Sequence, residues 1–495
     1  MLNLARFHGG LHLPNNKELS NQAPLRQASI PKKLVYPLMQ RPGVTVDPKV
    51  QVGERVLRGQ VIAHSDHPLA TPVHAASSGV IEAIEERLIP HPSGMADVCI
   101  VIATDGLDES LVTQGVADFS SQDPASIRTA IKNAGIVGLG GAAFPTAIKL
   151  NPGPQRKLDT LLLNGAECEP YITCDDCLMQ NQPESVLVGA QILLHSLHIE
   201  RCIVAIEDHM KRAYARLTQA VAALNDPRII IVQVPAIYPT GGEKQLIKVV
   251  TGKETPSGGI PADIGVLCVN VGTASAVYDA VCKGKPLTER VITVTGRGVK
   301  EPQNRYVRIG TPISELIEQC GGYTEHVERL IMGGPMMGFA LPDDEIAVVK
   351  ATNCILAGTA ADINIGKQAM PCIRCGDCAK ACPVDLLPQQ LYWHSRAGNL
   401  DKCKEFSLFD CIECGCCEVV CPSHIPLVQY YRSAKSKVIA KAKEAEKAAV
   451  AKRRHDMHLE RKAKEQAEKA ERARLKKEAL AKVKQANAEK EGVTQ

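Results

Sequence analysis

The apolar positions of the first hundred residues follow the short runs that are typical of β-strands. These runs are rich in valine and isoleucine, and glycine and proline separate them. We therefore predict a small all-β unit, with strands at 33–38, 44–46, 61–63 and 79–82.

From about residue 123 the apolar spacing alternates between helical and strand periods. Asp123 is a suitable N-cap for the first helix, and Gly135 a suitable end. This βα alternation predicts a doubly wound sheet. Helices are predicted at 124–134, 183–199 and 210–224, and strands at 158–163, 202–206 and 228–234.

The last third of the chain changes its pattern twice. Residues 286–339 carry short β runs and paired glycines, which predict a small α+β module. Three methionines in it, Met332, Met336 and Met337, are predicted to fill a gap in its core. Ten cysteines then fall between 372 and 421, and from 434 onward alanine and charged residues predict a helix.

Composition narrows the class of protein. A chain of 495 residues with 45% hydrophobic content implies roughly three to five domains and excludes disorder over most of its length. The 19 cysteines follow a start without an apolar signal segment, so we expect reduced cytosolic thiols rather than secreted disulfides. The longest apolar stretch, 264–281, is broken by glycine, asparagine and aspartate, so no membrane span is predicted.

The small net charge of +4 conceals two oppositely charged parts. Residues 434–495 contain 19 basic and 10 acidic side chains, which leaves 39 basic and 44 acidic side chains for the rest. An electrostatic contact of this tail with anionic lipid or an acidic partner, and a solvated helix without a specific role, are both open. Binding of nucleic acid is not expected, because the tail has no aromatic residues.

Eight of the clustered cysteines repeat one motif. Cys372-x2-Cys375-x2-Cys378-x3-Cys382-Pro383 is followed by Cys411-x2-Cys414-x2-Cys417-x3-Cys421-Pro422. This is the run of bacterial two-cluster ferredoxins, in which the fourth cysteine of each motif ligates the other cluster. The predicted ligand sets for two 4Fe-4S clusters are Cys372, Cys375, Cys378 and Cys421 for the first, and Cys411, Cys414, Cys417 and Cys382 for the second.

Zinc is the alternative metal for four thiolates, but zinc ribbons use two separated Cys-x2-Cys pairs. Cys403 and Cys416 fall outside the repeated register and are predicted to be bystanders. A further group, Cys168, Cys174 and Cys177, is also interpreted as bystander thiols, since no histidine completes a ligand set.

Two loops of the α/β segment indicate a nucleotide site. The first is Gly138-Leu139-Gly140-Gly141-Ala142-Ala143-Phe144-Pro145-Thr146-Ala147-Ile148-Lys149, whose glycines allow a ligand to approach the backbone. The second, Asn164-Gly165-Ala166-Glu167-Cys168-Glu169-Pro170, follows a predicted strand, where ligands bind in α/β sheets. Alone, a glycine loop is also typical of a simple turn.

Together the two loops resemble the flavin- and NADH-binding subunit of respiratory complex I, with its GRGGAGFPTGxKW and NADExEPG patterns. Tyr238-Pro239-Thr240-Gly241-Gly242-Glu243 is similar to its YxxGEE, and Val269-Asn270-Val271-Gly272-Thr273 to its NNVET. The resemblance implies FMN contacts by Gly138, Gly140, Gly141, Lys149, Asn164, Glu167, Tyr238, Asn270 and Thr273, and contacts to the nicotinamide nucleotide by Phe144, Glu169 and Glu243.

The order of modules resembles the RnfC (RsxC) family, the peripheral members of ion-translocating Rnf electron transport complexes. The resemblance implies a multidomain α/β and α+β fold. Its expected parts are a barrel-sandwich hybrid at 1–120, a complex I flavin-subunit-like doubly wound FMN/NADH domain at 121–285, an SLBB β-grasp module at 286–345, a two-cluster ferredoxin-like domain at 346–432 and a charged helical tail at 433–495.

The implied function is electron transfer between NADH, through FMN, and two 4Fe-4S clusters, to or from membrane partners. Such partners are integral membrane and flavoprotein subunits, with a ferredoxin as a further candidate, on the cytoplasmic side of the inner membrane. Two alternatives remain open: a soluble cobalamin reductase of the same build, and a non-catalytic iron–sulfur wire that docks a ferredoxin. Flavin links the paired electrons of NADH to clusters that accept one electron at a time.

Overall fold

A computed structural model describes residues 4–41, 43–153, 155–363 and 368–491 of the chain. The amino-terminal β unit contains a four-stranded antiparallel sheet of order β2-β10-β9-β6, a three-stranded sheet of order β5-β7-β8 and the β3-β4 ribbon. The strands are β2 (Lys33–Pro37), β3 (Met39–Arg41), β4 (Val44–Thr45), β5 (Asp47–Pro48), β6 (Arg55–Val56), β7 (Val61–His64), β8 (Val73–His74), β9 (Gly79–Leu88) and β10 (Ala96–Thr104), after β1 (Arg26–Gln27).

The core of this unit contains the inward residues of facing strands, including Leu34, Tyr36, Ile62, Ile81 and Ile100. The predicted strands are present, since alternating apolar residues bury one face of each strand. Residues 4–28, here called the N-terminal strap, lie outside this core: β1 pairs in parallel with a strand near residue 305 instead.

The α/β domain contains four parallel strands flanked by helices, in the order β13-β12-β11-β14. Sequential strands go to one side of β11, and β14 then pairs on its other side, so the topological switch point lies between β11 and β14. The elements are α1 (Pro124–Asn133), α2 (Thr146–Lys149), β11 (Thr160–Gly165), α3 (Cys174–Asn181), α4 (Pro183–Leu197), β12 (Cys202–Glu207), α5 (Lys211–Leu224), β13 (Ile229–Val234), α6 (Glu243–Thr251), β14 (Val266–Asn270) and α7 (Val271–Cys282).

Two local features position this domain. The Asp123 carboxylate accepts hydrogen bonds from the Ala125 and Ser126 amides, as expected for the N-cap of α1. Helices α4 and α7 touch at Gly189, where a Cβ atom would lie 1.9 Å from the Ala274 carbonyl oxygen. A side chain at Gly189 would push α7 away, and the start of α7 lies at the switch point.

The next module forms a six-stranded sheet of order β1-β16-β15-β19-β17-β18. Its elements are β15 (Glu289–Thr295), β16 (Gln303–Arg308), α8 (Ile313–Glu318), β17 (Arg329–Met332), β18 (Phe339–Ala340) and β19 (Cys354–Gly358). The sheet extends past residue 345, where the sequence pattern ended this module, because β19 lies between β15 and β17 and pairs with both. It also recruits β1 from the strap.

The cysteine-rich part is built from short helices and leads into one long helix. Its elements are α9 (Asp377–Ala381), α10 (Pro388–Arg396), α11 (Leu400–Glu405), α12 (Cys416–Val419) and α13 (Leu427–Glu491). The first turns of α13 pack into this part through Tyr431, Ala434 and Val438, and the helix is largely exposed from residue 441 onward. Among the described residues, no helix combines the length and hydropathy needed to cross a membrane.

Candidate functional site

A cavity of about 750 Å³ opens at the switch point of the α/β sheet. Its position follows from topology, because the carboxyl ends of β11 and β14 diverge here and their last paired residues are Asn164 and Asn270. The volume lies in the range of small-molecule and cofactor sites. All twelve predicted cofactor residues line it: Gly138, Gly140, Gly141, Phe144, Lys149, Asn164, Glu167, Glu169, Tyr238, Glu243, Asn270 and Thr273.

The glycine loop forms one wall of the cavity. Gly141 has a φ of +109°, a conformation that favours glycine, and a Cβ there would meet open space. The loop is held from behind: the Leu139 amide donates to the Thr273 hydroxyl at 2.8 Å, and the Arg290 guanidinium donates to the Leu139 carbonyl at 2.8 Å. The backbone thus stays open to a ligand on one side and is fixed by protein on the other.

One polar atom in this wall lacks a partner. The Thr146 hydroxyl oxygen at the start of α2 is buried, lines the cavity and has no hydrogen-bond partner among the described residues. A buried hydroxyl without a partner costs free energy. A polar cofactor in the cavity would supply that partner, so the glycine loop fits a flavin mononucleotide.

The acidic loop forms the opposite wall and is braced by its own side chains. The Asn164 amide donates to the Gly241 carbonyl at 2.8 Å, and the Glu167 carboxylate accepts from the Asp175 and Asp176 amides at 2.8 and 2.9 Å. Several residues that the resemblance assigns to the flavin therefore shape the loops as well as line the cavity. Asn270 caps α7 in the same way, through the Gly272 and Thr273 amides.

Lys149 and Glu243 form an ion pair at the cavity, with 2.5 Å between Nζ and Oε1. Lys149 ends α2 and Glu243 begins α6, so the pair joins the glycine loop to the third predicted motif. Both side chains are partly exposed. This is the one pair of opposite charges among the predicted cofactor residues, and it is available to an incoming charged ligand.

Glu169 bonds to the loop between β17 and β18. Its Oε1 accepts from the Met336 amide at 2.6 Å and the Met337 amide at 3.0 Å. A Cβ at Gly334 would lie 2.0 Å from the Glu169 Cγ, so this approach requires glycine. The methionines here do not simply fill a core: Met332 and Met337 line the cavity, and Met337 is 47% exposed.

The acidic loop concentrates buried carboxyl groups. Burial raises the pKa of Glu167, Glu169 and Asp175, and Lys17 counteracts the shift in each case. Burial also raises the pKa of Glu207, at the end of β12, to about 7. Negative charge is thus costly on this side of the cavity unless a cation lies near.

The three cysteines beside this loop are neutral thiols. Burial raises the pKa of Cys174, and that of Cys177 to about 12. The ligand atoms of Glu167, Cys174 and Asp175 lie within 4.8 Å of one another. The Glu167 carboxylate is nevertheless occupied by backbone amides, in line with the interpretation of these cysteines as bystanders.

The eight motif cysteines line two small cavities in the crossed arrangement. Cys372, Cys375, Cys378 and Cys421 line one, and Cys382, Cys411, Cys414 and Cys417 line the other. The remaining walls are mostly apolar, with Ile425 and Leu427 at the first and Leu391 and Val428 at the second. Four convergent sulfur donors in an apolar setting fit iron–sulfur clusters.

The two cysteine loops share one backbone conformation. Arg374 and Glu413, at equivalent positions, both have a φ of 59°, and the glycines that follow each next cysteine, Gly376 and Gly415, have φ values of 83° and 80°. The second loop is braced by the long helix, since Lys435 donates to the Cys411 carbonyl at 2.7 Å. Repeated motifs have produced repeated loops.

Cys403 and Cys416 lie apart from the thiols that line the two small cavities. Cys403 is buried on α11, and Cys416 is buried at the start of α12. Cys416 packs with Tyr238 and Cys168, between the second cysteine loop and the acidic loop.

The large cavity and the second cysteine set share a wall. Tyr238 lines the cavity, and its hydroxyl donates to the Cys414 carbonyl at 2.7 Å. Ile412, from the second loop, also lines the cavity, whereas the first loop contributes none of its lining among the described residues. The second set is therefore the one next to the cavity.

Sequence reasoning missed four residues of this site. Thr146 and Asp175 line the cavity, and both lie at the start of a helix next to a predicted loop, which is a usable signal. Lys17 and Arg290 come from outside the α/β domain, and no local pattern marks them.

Four protein-family models match the chain in the predicted order. They are the RnfC barrel sandwich hybrid domain at 5–107, the Nuo51 FMN-binding domain at 131–279, the SLBB domain at 291–340 and the 4Fe-4S dicluster domain at 371–425. These matches confirm the predicted fold class.

Curated relatives share close to half of their residues with the chain. The RnfC-type subunit of the ion-translocating oxidoreductase complex of Vibrio cholerae serotype O1 is 48% identical over 94% of this chain and 60% of its own length. The same subunit from Pseudomonas aeruginosa is 46% identical over 82% of this chain and 52% of its own length. The chain thus spans little more than half the length of these relatives.

A solved structure, an NAD+-reducing NiFe hydrogenase in the H2-reduced state, is 17% identical with a TM-score of 0.42, over 65% of this chain and 62% of that one. This likeness is too low to bear on function.

Proposed function

Because the chain belongs to the RnfC family of ion-translocating oxidoreductase complexes, we propose that it transfers electrons between NADH and two 4Fe-4S clusters through bound FMN. The observation that carries this proposal is the shared wall of the flavin-type cavity and the second cysteine set, through Tyr238 and Ile412. Adjacent redox sites allow electrons to pass without a mobile carrier.

FMN would be held between the glycine loop and the acidic loop. When bound, FMN exchanges electrons as a pair with a nicotinamide and singly with clusters. The chain's own residues supply the setting: Gly140 and Gly141 leave the backbone accessible, and the Thr146 hydroxyl offers an unpaired hydrogen-bonding group. Lys149 offers a positive charge at the cavity.

NADH is proposed as the nucleotide substrate. Phe144 lines the cavity beneath the Arg41 guanidinium, 5.5 Å from the ring centre, and presents an aromatic face beside Lys149 and Glu243. The Glu243 carboxylate can accept hydrogen bonds from a ribose once the ion pair opens. Glu169 would act from the same wall, where two backbone amides hold its carboxylate in one orientation.

The proposed path then runs from the second cysteine set to the first. The second set (Cys382, Cys411, Cys414 and Cys417) adjoins the cavity, and the crossed contributions of Cys382 and Cys421 place the two sets on either side of the same short helices. Electrons would leave from the first set, where Cys375 is exposed. The receiving partners are proposed to be membrane and flavoprotein subunits of the same complex at the cytoplasmic face, or a ferredoxin.

Anaerobic purification of the chain tests this function. We expect bound flavin, iron and sulfide for two clusters, and loss of the cluster absorbance on addition of NADH. Clusters without flavin, or clusters that NADH does not reduce, would leave only an iron–sulfur wire. Copurification with membrane partners separates the proposal from a soluble reductase of the same build.

The tail is proposed to help attach the chain to its partners or to anionic lipid. Most of its charges are exposed along α13. Removal of residues 441–495, followed by salt washing of membranes, tests this role. Retention equal to that of the full chain would contradict it.

A further inference from the structure

Lys17 in the N-terminal strap is a buried cation. Its residue is only 5% exposed, although lysine is almost never buried without partners. Its Nζ donates to three backbone carbonyls of the acidic loop: Glu167 at 2.6 Å, Glu169 at 3.3 Å and Ile172 at 2.5 Å. One ammonium group thus binds the loop at three points.

These bonds set the orientation of the loop's peptide groups. The C=O and N–H of a trans peptide point in opposite directions. A Glu167 carbonyl turned to Lys17 therefore turns the Cys168 amide to the other side of the loop. Glu167, Cys168 and Glu169 all line the cavity, so the ammonium acts on the wall that faces the cofactor.

Lys17 also supplies positive charge where carboxyl groups are crowded. It lowers the pKa of Glu167, Glu169, Asp175 and Glu207 against the effect of their burial. Arg290 is the other buried cation close to Glu167 and Asp175. Loss of Lys17 would leave uncompensated negative charge beside the cavity or force a carboxyl group to take up a proton.

The same strap touches the second cysteine set. The Gly10 amide donates to the Ala381 carbonyl at 3.1 Å, and the His8 Nδ1 lies 2.8 Å from the Cys382 carbonyl oxygen. A Cβ at Gly9 would lie 2.6 Å from the Ala381 backbone, so the contact requires glycine. Between these contacts and Lys17, Leu11 exchanges backbone hydrogen bonds with Tyr238.

We propose that the N-terminal strap is a positioning element of the redox path, and that Lys17 is the positioning residue of its flavin site. The strap contacts the acidic loop, Tyr238 and Cys382, and so holds the cofactor cavity and the second cysteine set in register. The inference rests on the proposed flavin function. It adds that the flavin site is incomplete without a segment that lies outside the α/β domain.

The test replaces Lys17 by methionine in the full chain, purified anaerobically. Lys17→Met keeps the aliphatic length and removes the charge and the three donors. We expect flavin to bind about tenfold or more weakly, since charge-assisted hydrogen bonds are lost. Residual bound flavin should have a lower reduction potential, because negative charge is left uncompensated. The electron paramagnetic resonance signals of both clusters should persist, since Lys17 does not line either cysteine cavity.

Lys33→Met is the matched control, because Lys33 is a half-exposed lysine that pairs with Glu82 on the β unit. It should leave flavin affinity and potential unchanged. If Lys17→Met does not fold, Lys17→Arg replaces it, with weaker flavin binding expected because a planar guanidinium cannot direct its donors to three carbonyls around one nitrogen. Flavin affinity and potential equal to wild type in either variant would overturn the inference. Absence of flavin from the wild-type chain would instead refute the proposed function.

Discussion

The hydroxyl of Tyr238 donates a hydrogen bond to the backbone carbonyl of Cys414 at 2.7 Å. Tyr238 belongs to a motif similar to the complex I flavin subunit, and Cys414 to a ferredoxin-type motif. Tyr238 is 3% exposed, and burial raises the pKa of its hydroxyl, which therefore stays protonated as a donor. A single buried bond thus connects two modules that the sequence shows separately.

Replacement of Tyr238 by phenylalanine should slow the reduction of the clusters by NADH. The variant leaves the buried Cys414 carbonyl without this donor and loosens the shared wall, at a cost of about 1 kcal/mol in unfolding free energy. Stopped-flow absorbance during anaerobic mixing with NADH measures the effect. Tyr214→Phe, at a 37% exposed tyrosine of α5, is the control. Identical bleaching rates in the two variants would contradict the proposed route.

Glu243→Gln should raise the KM for NADH about tenfold while flavin content stays unchanged. The substitution removes the charge that pairs with Lys149 at 2.5 Å and that would accept ribose hydrogen bonds. Steady-state kinetics with an artificial electron acceptor gives KM and kcat separately. Glu254→Gln is the control, because Glu254 pairs with Lys248 at a surface outside the cavity lining. The assignment fails if both variants keep the wild-type KM.

Cys382→Ser should remove the cluster of the second motif although Cys382 belongs to the first. Its sulfur lies in the cavity lined by Cys411, Cys414 and Cys417. We expect about half of the iron to remain, with one cluster signal in the reduced spectrum. Cys403→Ser, at a buried cysteine outside both cavities, should keep all of the iron. Retention of the second-motif signal in Cys382→Ser would argue for ligation within each motif.

Glu207 should make the stability of the chain depend on pH. Burial raises its pKa to about 7 in the folded chain, and Oε1 has no partner among the described residues. Folding favours the protonated form, so the stabilising contribution is present below about pH 4.5 and is lost as pH rises through about 7.

Glu207→Gln removes this dependence. The variant should match wild type near pH 4 and exceed its unfolding free energy by about 2–3 kcal/mol at pH 8. Anaerobic denaturant unfolding across that pH range measures the difference, with Glu200→Gln as the exposed control. Parallel pH profiles for Glu207→Gln and wild type would refute the prediction.

Most secondary structure followed from local pattern. The helix predicted at 124–134 is α1 (Pro124–Asn133), and the strand predicted at 202–206 is β12 (Cys202–Glu207). Caps and apolar periods lie within a few residues of each other, so short segments specify them. The module boundary at 345 was harder, because β19 joins its sheet through partners more than twenty residues away.

Compact motifs in the amino-acid sequence were enough to specify the modules, the twelve residues of the cavity and the two crossed cysteine sets. Three contacts became visible only in the folded chain: Lys17 binds the acidic loop, Arg290 holds the glycine loop, and Tyr238 meets Cys414. Those contacts join residues roughly 150 positions or more apart. They depend on how whole modules pack, and no local spacing encodes that packing.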